Sequence, residues 1–110
     1  METTPEAIKA AYDLLRVTAF KGVTVRPSSK VKFVAKKFKD YQGLYHWPDH
    51  RMEIDASIHS ITNLLQVVAH EMCHAVLDNH GDDGHENHDE NFQKVANIIC
   101  AEMGWPKGRV

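Results

Sequence analysis

Apolar and polar residues alternate with two different periodicities along the chain, which predict helices at both ends and strands between them. Residues 5–19 repeat apolar side chains at helical spacing, and Thr4-Pro5-Glu6 supplies a cap, a first-turn proline and a first-turn acid. Gly22 is expected to end this helix. Short β-branched or alternating segments follow, and they predict strands at residues 23–25, 31–36, 43–47 and 51–56.

The second half of the chain predicts two helices joined by a polar loop. Residues 60–78 are apolar on nearly all sides, which is typical of an interior helix. Residues 79–88 are polar, and residues 89–103 form a final amphipathic helix that Gly104 ends. The predicted fold is α+β, with an N-terminal helix, a small, mostly antiparallel sheet, a buried central helix and a C-terminal helix. The last two strands are expected to form a hairpin.

The size of the chain and its charge set broad limits on function. With 110 residues, it is expected to form a single domain over residues 1–110. Lysines and arginines are concentrated between Lys21 and Arg51, whereas residues 78–90 contain acids and no lysine or arginine. A basic segment of this kind makes nucleic acid a candidate partner, although a solvated strand face is the commoner explanation.

The cysteines and the apolar segments bear on the compartment. Cys73 and Cys100 lie in apolar, helical surroundings, which favours free thiols in a reducing compartment over a disulfide. No apolar run is long enough to span a bilayer, and the first ten residues lack the features of a secretory signal. These features predict a cytoplasmic protein without a membrane partner.

The central helix carries the strongest chemical signal, the H-E-x-x-H motif His70-Glu71-Met72-Cys73-His74. Around the helix axis, His74 lies about 40° and Glu71 about 100° from His70. Both imidazoles can therefore bind one metal ion, with the Glu71 carboxyl placed as a general base. Two helical histidines can also be ordinary core residues. However, burying two imidazoles and a carboxyl on one interior helix is costly unless something pairs with them.

A catalytic zinc site usually has three protein ligands, so a third residue is required. His80 has the spacing of the metzincin pattern, but Leu77 stands where that pattern has a turning glycine, and a continuing helix directs His80 away from the metal. His85 and His88 both lie in the loop that returns towards the motif. His88 is preferred because it adjoins the last helix, where a ligand is held more firmly than in mid-loop. Two carboxylates are weaker alternatives, Glu86 and Glu90.

The motif, the acidic loop and the segment His88-Asp89-Glu90-Asn91-Phe92 together resemble the SprT-like (Spartan-related) metallopeptidases over residues 43–105. In that family, H-E-x-x-H is followed by a loop and by a third histidine shortly before an aromatic residue. The resemblance implies a zincin-like fold, Zn²⁺ bound by His70, His74 and His88, and Glu71 as the catalytic glutamate. Gly84-His85 fits part of the pattern as well, so His85 stays open as the third ligand.

Family members are generally cytoplasmic or nuclear peptidases, and some act on DNA-bound proteins. The sequence shows no downstream zinc ribbon or DNA-binding extension, which indicates a minimal version such as a phage or mobile-element protein.

These features predict a zinc metallopeptidase that cleaves a protein or peptide through a metal-bound water activated by Glu71. The strand at residues 51–56 is expected to lie along the cleft and pair with an extended peptide. The alternative is a zinc-stabilised binding module without turnover, directed to protein or DNA, in which His85 and His88 close the site together. Three residues remain equal candidates for stabilising an oxyanion: Tyr45, Arg51 and His85.

Overall fold

A computed structural model describes residues 2–81 and 87–110, and the order of its elements is that of an α+β fold. The described part contains three α-helices, a 3-10 turn at Ser28–Lys30 and a three-stranded sheet. The elements are α1 (Pro5–Val17), β1 (Lys32–Lys36), β2 (Gly43–His46), β3 (Arg51–Asp55), α2 (Ile61–Asn79) and α3 (Glu90–Met103). The predicted α+β class is confirmed, and the H-E-x-x-H motif lies within α2.

Side-chain caps begin all three helices. Thr4, Ser60 and Asp89 each accept a hydrogen bond from the main-chain N–H three residues later, at 3.1, 3.3 and 3.2 Å. α3 ends at Gly104 as predicted, and the φ of 70° at this residue is a left-handed conformation that glycine adopts readily. The cap at Asp89 fixes where α3 begins and therefore where the preceding residue, His88, is held.

The segment between α1 and the sheet differs from its prediction. α1 ends at Val17 and not at residue 19, because the chain turns there to place the fully buried Phe20 ring in the core. Residues 23–25 form no strand. Side chains of α1 bind the main chain at the end of this segment instead. Arg16 Nε donates to the Val25 carbonyl at 3.2 Å, and the Tyr12 hydroxyl donates to the next carbonyl, that of Arg26, at 2.6 Å.

The sheet is mixed, so the prediction of a mostly antiparallel sheet is wrong. The strand order is β1-β3-β2, with β3 antiparallel to β2, as the predicted hairpin requires, and parallel to β1. β3 is the most buried strand, and Met52 and Ile54 are fully buried on its inner face. It therefore takes the central position between two more exposed strands, which leaves β2 at an edge.

α2 is the interior helix that its composition predicts. It contacts α1, α3 and the strands β2 and β3, and Val68, Ala69, Met72 and Cys73 on it are fully buried. Cys73 and Cys100 are both buried free thiols, so no disulfide links them. None of the helices in the described part of the chain combines the length and apolar character that crossing a bilayer requires.

The outer edge of β2 faces the motif helix. Asp55 N–H donates to the Gln42 carbonyl at 2.9 Å, and alternate residues of an antiparallel pair exchange hydrogen bonds. By this alternation, the main-chain groups of Gly43 and Tyr45 point away from β3. A Cβ on Gly43 would lie 3.1 Å from Val67 Cγ1 of α2, so glycine allows the edge strand to approach this helix closely.

Candidate metal centre

The motif residues on α2 form one face of the candidate centre. The rings of His70 and His74 are 5.1 Å apart between centroids, as expected for residues one turn apart. His74 and Glu71 are buried, whereas His70 is half-buried. The helix therefore presents two imidazoles and a carboxyl at the edge of the core.

His88 completes the cluster from the start of α3. Its Nε2 lies 3.0 Å from Nε2 of His70, and its ring centroid lies 5.0 Å from that of His74. One ring nitrogen from each of the three histidines lies within 4.8 Å of the other two, and within residues 2–81 and 87–110 this is the group compact enough to hold a metal ion. The structure therefore brings together the three histidines that the sequence selected as ligands.

Phe92 supports all three imidazoles from the core side. Its ring centroid lies 4.9 Å from His70, 4.7 Å from His74 and 4.8 Å from His88. Phe92 is almost fully buried in the first turn of α3, and its N–H is bound by the cap at Asp89. The sequence indicated Phe92 only as an apolar helix residue and as the family's aromatic position, and its contact with each ring was not predicted.

Burial keeps the His70 imidazole neutral. Burial, together with the nearby His74 and His88 rings, lowers the pKa of this imidazole to about 4. A neutral imidazole has a free lone pair, which is the form that binds a metal. The His70 ring therefore carries no proton that a metal ion would have to displace at neutral pH.

The Glu71 carboxyl is held between α2 and the sheet edge. Burial raises its pKa to about 8, against a hydrogen bond from the main chain of Tyr45 that favours ionisation. The Tyr45 N–H is one of the main-chain groups on the outer edge of β2 that point away from β3. A buried carboxyl with a preset orientation thus lies beside the three imidazoles.

A second main-chain contact orients His70. Its ring donates a hydrogen bond to the main chain of Val110. Because His70 Nε2 faces His88, the donor to Val110 is Nδ1. A carbonyl acceptor behind a ligating histidine fixes both its tautomer and its ring orientation. Nothing in the local sequence pattern pointed to this contact, since Val110 is distant along the chain.

Two cavities adjoin the cluster. One, of about 520 Å³, lies towards residues 40–42 and 108–110. The other, of about 420 Å³, lies along β2 and reaches His74 and His88. Both are lined by the same four residues: Tyr41, Gly43, His70 and Glu71. The three histidines and Glu71 all line the cavity along β2, and the other cavity adjoins the candidate centre at His70 and Glu71.

The sequence also offered His80, His85, Glu86 and Glu90 as possible third ligands. His80 is the exposed C-cap residue of α2 and does not belong to the cluster, which agrees with its predicted direction. Glu90 is exposed and lies 3.6 Å from Lys94 in an ion pair. His85 and Glu86 lie outside the described residues.

The three oxyanion candidates are now separated. Tyr45 lines the cavity beside the cluster, and its hydroxyl lies 2.9 Å from His50 Nδ1. Arg51 lines neither cavity and forms ion pairs with Asp49 at 2.6 Å and Glu53 at 3.2 Å. His85 lies outside the described residues, so Tyr45 is the described candidate that lines a cavity at the cluster.

Nearly the whole chain is similar to one known protein family. A family model described as the SprT-like family matches residues 8–108, which is nearly the full length. No curated protein and no solved structure matches the chain. The resemblance seen in the motif and in His88-Asp89-Glu90-Asn91-Phe92 is confirmed by this match.

Proposed function

The chain belongs to the SprT-like family, and on that premise we propose that it is a zinc-dependent metallopeptidase with a zincin-like fold. One observation carries the proposal. Three imidazoles converge beside the buried Glu71 carboxyl at the junction of two cavities.

The donor set fits zinc. Zinc binds imidazole nitrogen at about 2.0–2.1 Å, and in tetrahedral geometry its ligand atoms lie about 3.3 Å apart. The 3.0 Å separation of Nε2 in His70 and His88 is close to that value. A cation bound by these rings would also favour the ionised form of Glu71, whose pKa burial raises. Three ligands leave one coordination position open, as catalytic zinc sites require.

The residues of the chain supply orientation and proton transfer. Zinc held by His70, His74 and His88 would polarise the scissile carbonyl and make a water molecule more acidic. Glu71 accepts the proton of the attacking water and passes it to the leaving amine. The Tyr45 N–H holds the Glu71 carboxyl in place for both transfers. Tyr45 also lines the cavity, which keeps it a candidate for stabilising the oxyanion.

The peptide substrate pairs with β2 and not with the strand at 51–56 that the sequence indicated. β3 is hydrogen-bonded on both sides, so it has no free edge. Within the described residues no strand pairs with the outer edge of β2, where the Gly43 main chain points outward next to His70 and Glu71. An extended peptide added to this edge lies across the cluster with its backbone held by main-chain hydrogen bonds.

Metal removal tests the proposal. Chelation and desalting are expected to abolish hydrolysis of an unfolded protein such as casein, because the three imidazoles have no ion to hold. One equivalent of Zn²⁺ per chain is expected to restore activity, whereas Mg²⁺ is not, since it prefers oxygen ligands. Activity that persists after complete zinc removal would contradict the proposal.

The alternative, a closed zinc-stabilised module, has less support. A structural site has four protein ligands and no need of an adjoining cavity, whereas two cavities open onto this cluster. Nucleic-acid binding by the basic segment stays a prediction, and salt-dependent affinity for DNA would test it. Two of its cations are already paired with acids, as Lys36 and Arg51 both lie within 4 Å of Glu53.

A further inference from the structure

We propose that the cavity along β2 selects peptides with a large apolar side chain at one of the two residues that flank the scissile bond. This inference rests on the proposed function and adds the substrate class. Both cavities adjoin the candidate centre, since Tyr41, Gly43, His70 and Glu71 line both of them. A peptide bond beside Glu71 therefore has one flanking residue at each cavity.

The two cavities differ in chemistry. The cavity along β2 is lined by Leu44, Tyr45 and the shared Tyr41, in addition to the candidate centre. The other cavity is lined largely by polar side chains: Asp40, Gln42, Asn63, Gln66 and Arg109. An apolar side chain gains by leaving water in the first cavity, whereas in the second it would bury polar groups without partners. Preference for an apolar residue is thus expected on one side of the bond only.

Leu44 and Tyr41 are the residues that provide this apolar surface. Leu44 is 40% exposed and Tyr41 is 66% exposed, although both are large and apolar enough to favour burial. Tyr41 packs edge-on against Phe38, with ring centroids 6.3 Å apart and planes at 89°. Phe38 in turn lies under the Lys36 ammonium at 5.2 Å. Tyr41 is therefore already supported by its neighbours before a substrate arrives.

The size of the preference follows from the surface that a substrate side chain covers. Small differences in apolar contact change discrimination by about 10- to 200-fold in enzyme pockets. A leucine or phenylalanine at the selected position is therefore expected to raise kcat/KM at least about tenfold over serine. Replacing Leu44 with asparagine removes much of the apolar surface while keeping a side chain of similar size.

The test is the cleavage profile of the zinc-loaded protein on a mixture of peptides of varied sequence, read by mass spectrometry. The wild type is expected to cleave next to leucine, methionine and phenylalanine at one flanking position. Leu44→Asn is expected to lose most of that preference with unchanged zinc content and circular dichroism. Ile61→Asn is the matched control, because Ile61 is also exposed but lines neither cavity. A wild-type profile without apolar preference, or an identical profile in Leu44→Asn, would overturn the proposal.

Binding separates this inference from the proposed peptidase activity. Zinc-loaded Glu71→Gln is mixed with two fluorescent peptides that differ only by leucine or serine at the central position. Tighter binding of the leucine peptide, lost in the double variant with Leu44→Asn, supports the apolar cavity even if no variant cleaves. Equal affinity for the two peptides, or binding of neither, counts against it whatever the cleavage activity is.

Discussion

Glu71→Gln is expected to lower kcat for peptide hydrolysis by about 100- to 10,000-fold, the range that a general base contributes. The amide has nearly the shape of the carboxyl, and its oxygen can still accept the Tyr45 N–H, but it cannot take a proton from water. Zinc content and thermal stability should therefore remain close to those of the wild type. The measurement is kcat on one peptide, with zinc determined by elemental analysis of the same preparation.

Glu90→Gln is the matched control for this variant. Glu90 is an exposed glutamate in the first turn of α3, two residues from His88, and its partner is Lys94. Its replacement is the same chemical change, from carboxyl to amide, without touching the buried carboxyl. If Glu71→Gln retained wild-type activity with zinc bound, Glu71 would not be the base and the mechanism would be wrong.

His88→Ala is expected to weaken zinc binding by more than about 100-fold, since altering even an outer-shell partner costs 10- to 100-fold in affinity. His88 is the most informative ligand to replace because its side chain is exposed, so its loss should not unfold the protein. His74, by contrast, is buried against Phe92, and its replacement would also leave a cavity. Zinc affinity is measured by competition with a chromophoric chelator.

Two further histidine variants are needed to interpret the zinc affinity of His88→Ala. His80→Ala should bind zinc like the wild type, because His80 is exposed at the end of α2 and outside the cluster. His85→Ala tests the alternative that the sequence left open. Zinc binding that survives in His88→Ala but is lost in His85→Ala would replace His88 with His85 as third ligand, and equal losses would indicate a closed four-ligand site.

Much of the local structure could be predicted because it depends on residues close together in sequence. The caps at Thr4 and Ser60 and the stop at Gly104 all follow from short-range chemistry. The approach of His70 to His74 follows from helical periodicity alone. The placement of His88 beside them agrees with the preference for a ligand at the end of an element.

Pairing over longer distances could not be predicted from local patterns. Alternating residues predict a strand but not its neighbours, so the central position of β3 and the parallel β1–β3 pair were missed. Residues 23–25 have β-branched side chains, yet α1 side chains bind the main chain at Val25 and Arg26 and no strand forms. Tertiary contacts outweigh β-propensity at such positions.

The surroundings of the site were the least predictable part. The Tyr45 N–H reaches Glu71 only because β2 is an edge strand, and the main chain of Val110 reaches His70 from the far end of the described chain. From the sequence, Leu44 is an ordinary strand residue, and only the structure shows that it lines a cavity. These contacts depend on main-chain groups and on strand order, which side-chain patterns do not encode.

The proposed function requires that three histidines hold zinc and leave one position open beside Glu71. The zinc-edge X-ray absorption spectrum of the zinc-loaded wild type tests it most directly. We expect three nitrogen neighbours at about 2.0–2.1 Å and one oxygen neighbour. Four nitrogen neighbours, or any sulfur neighbour, would show a site closed by protein and would contradict it.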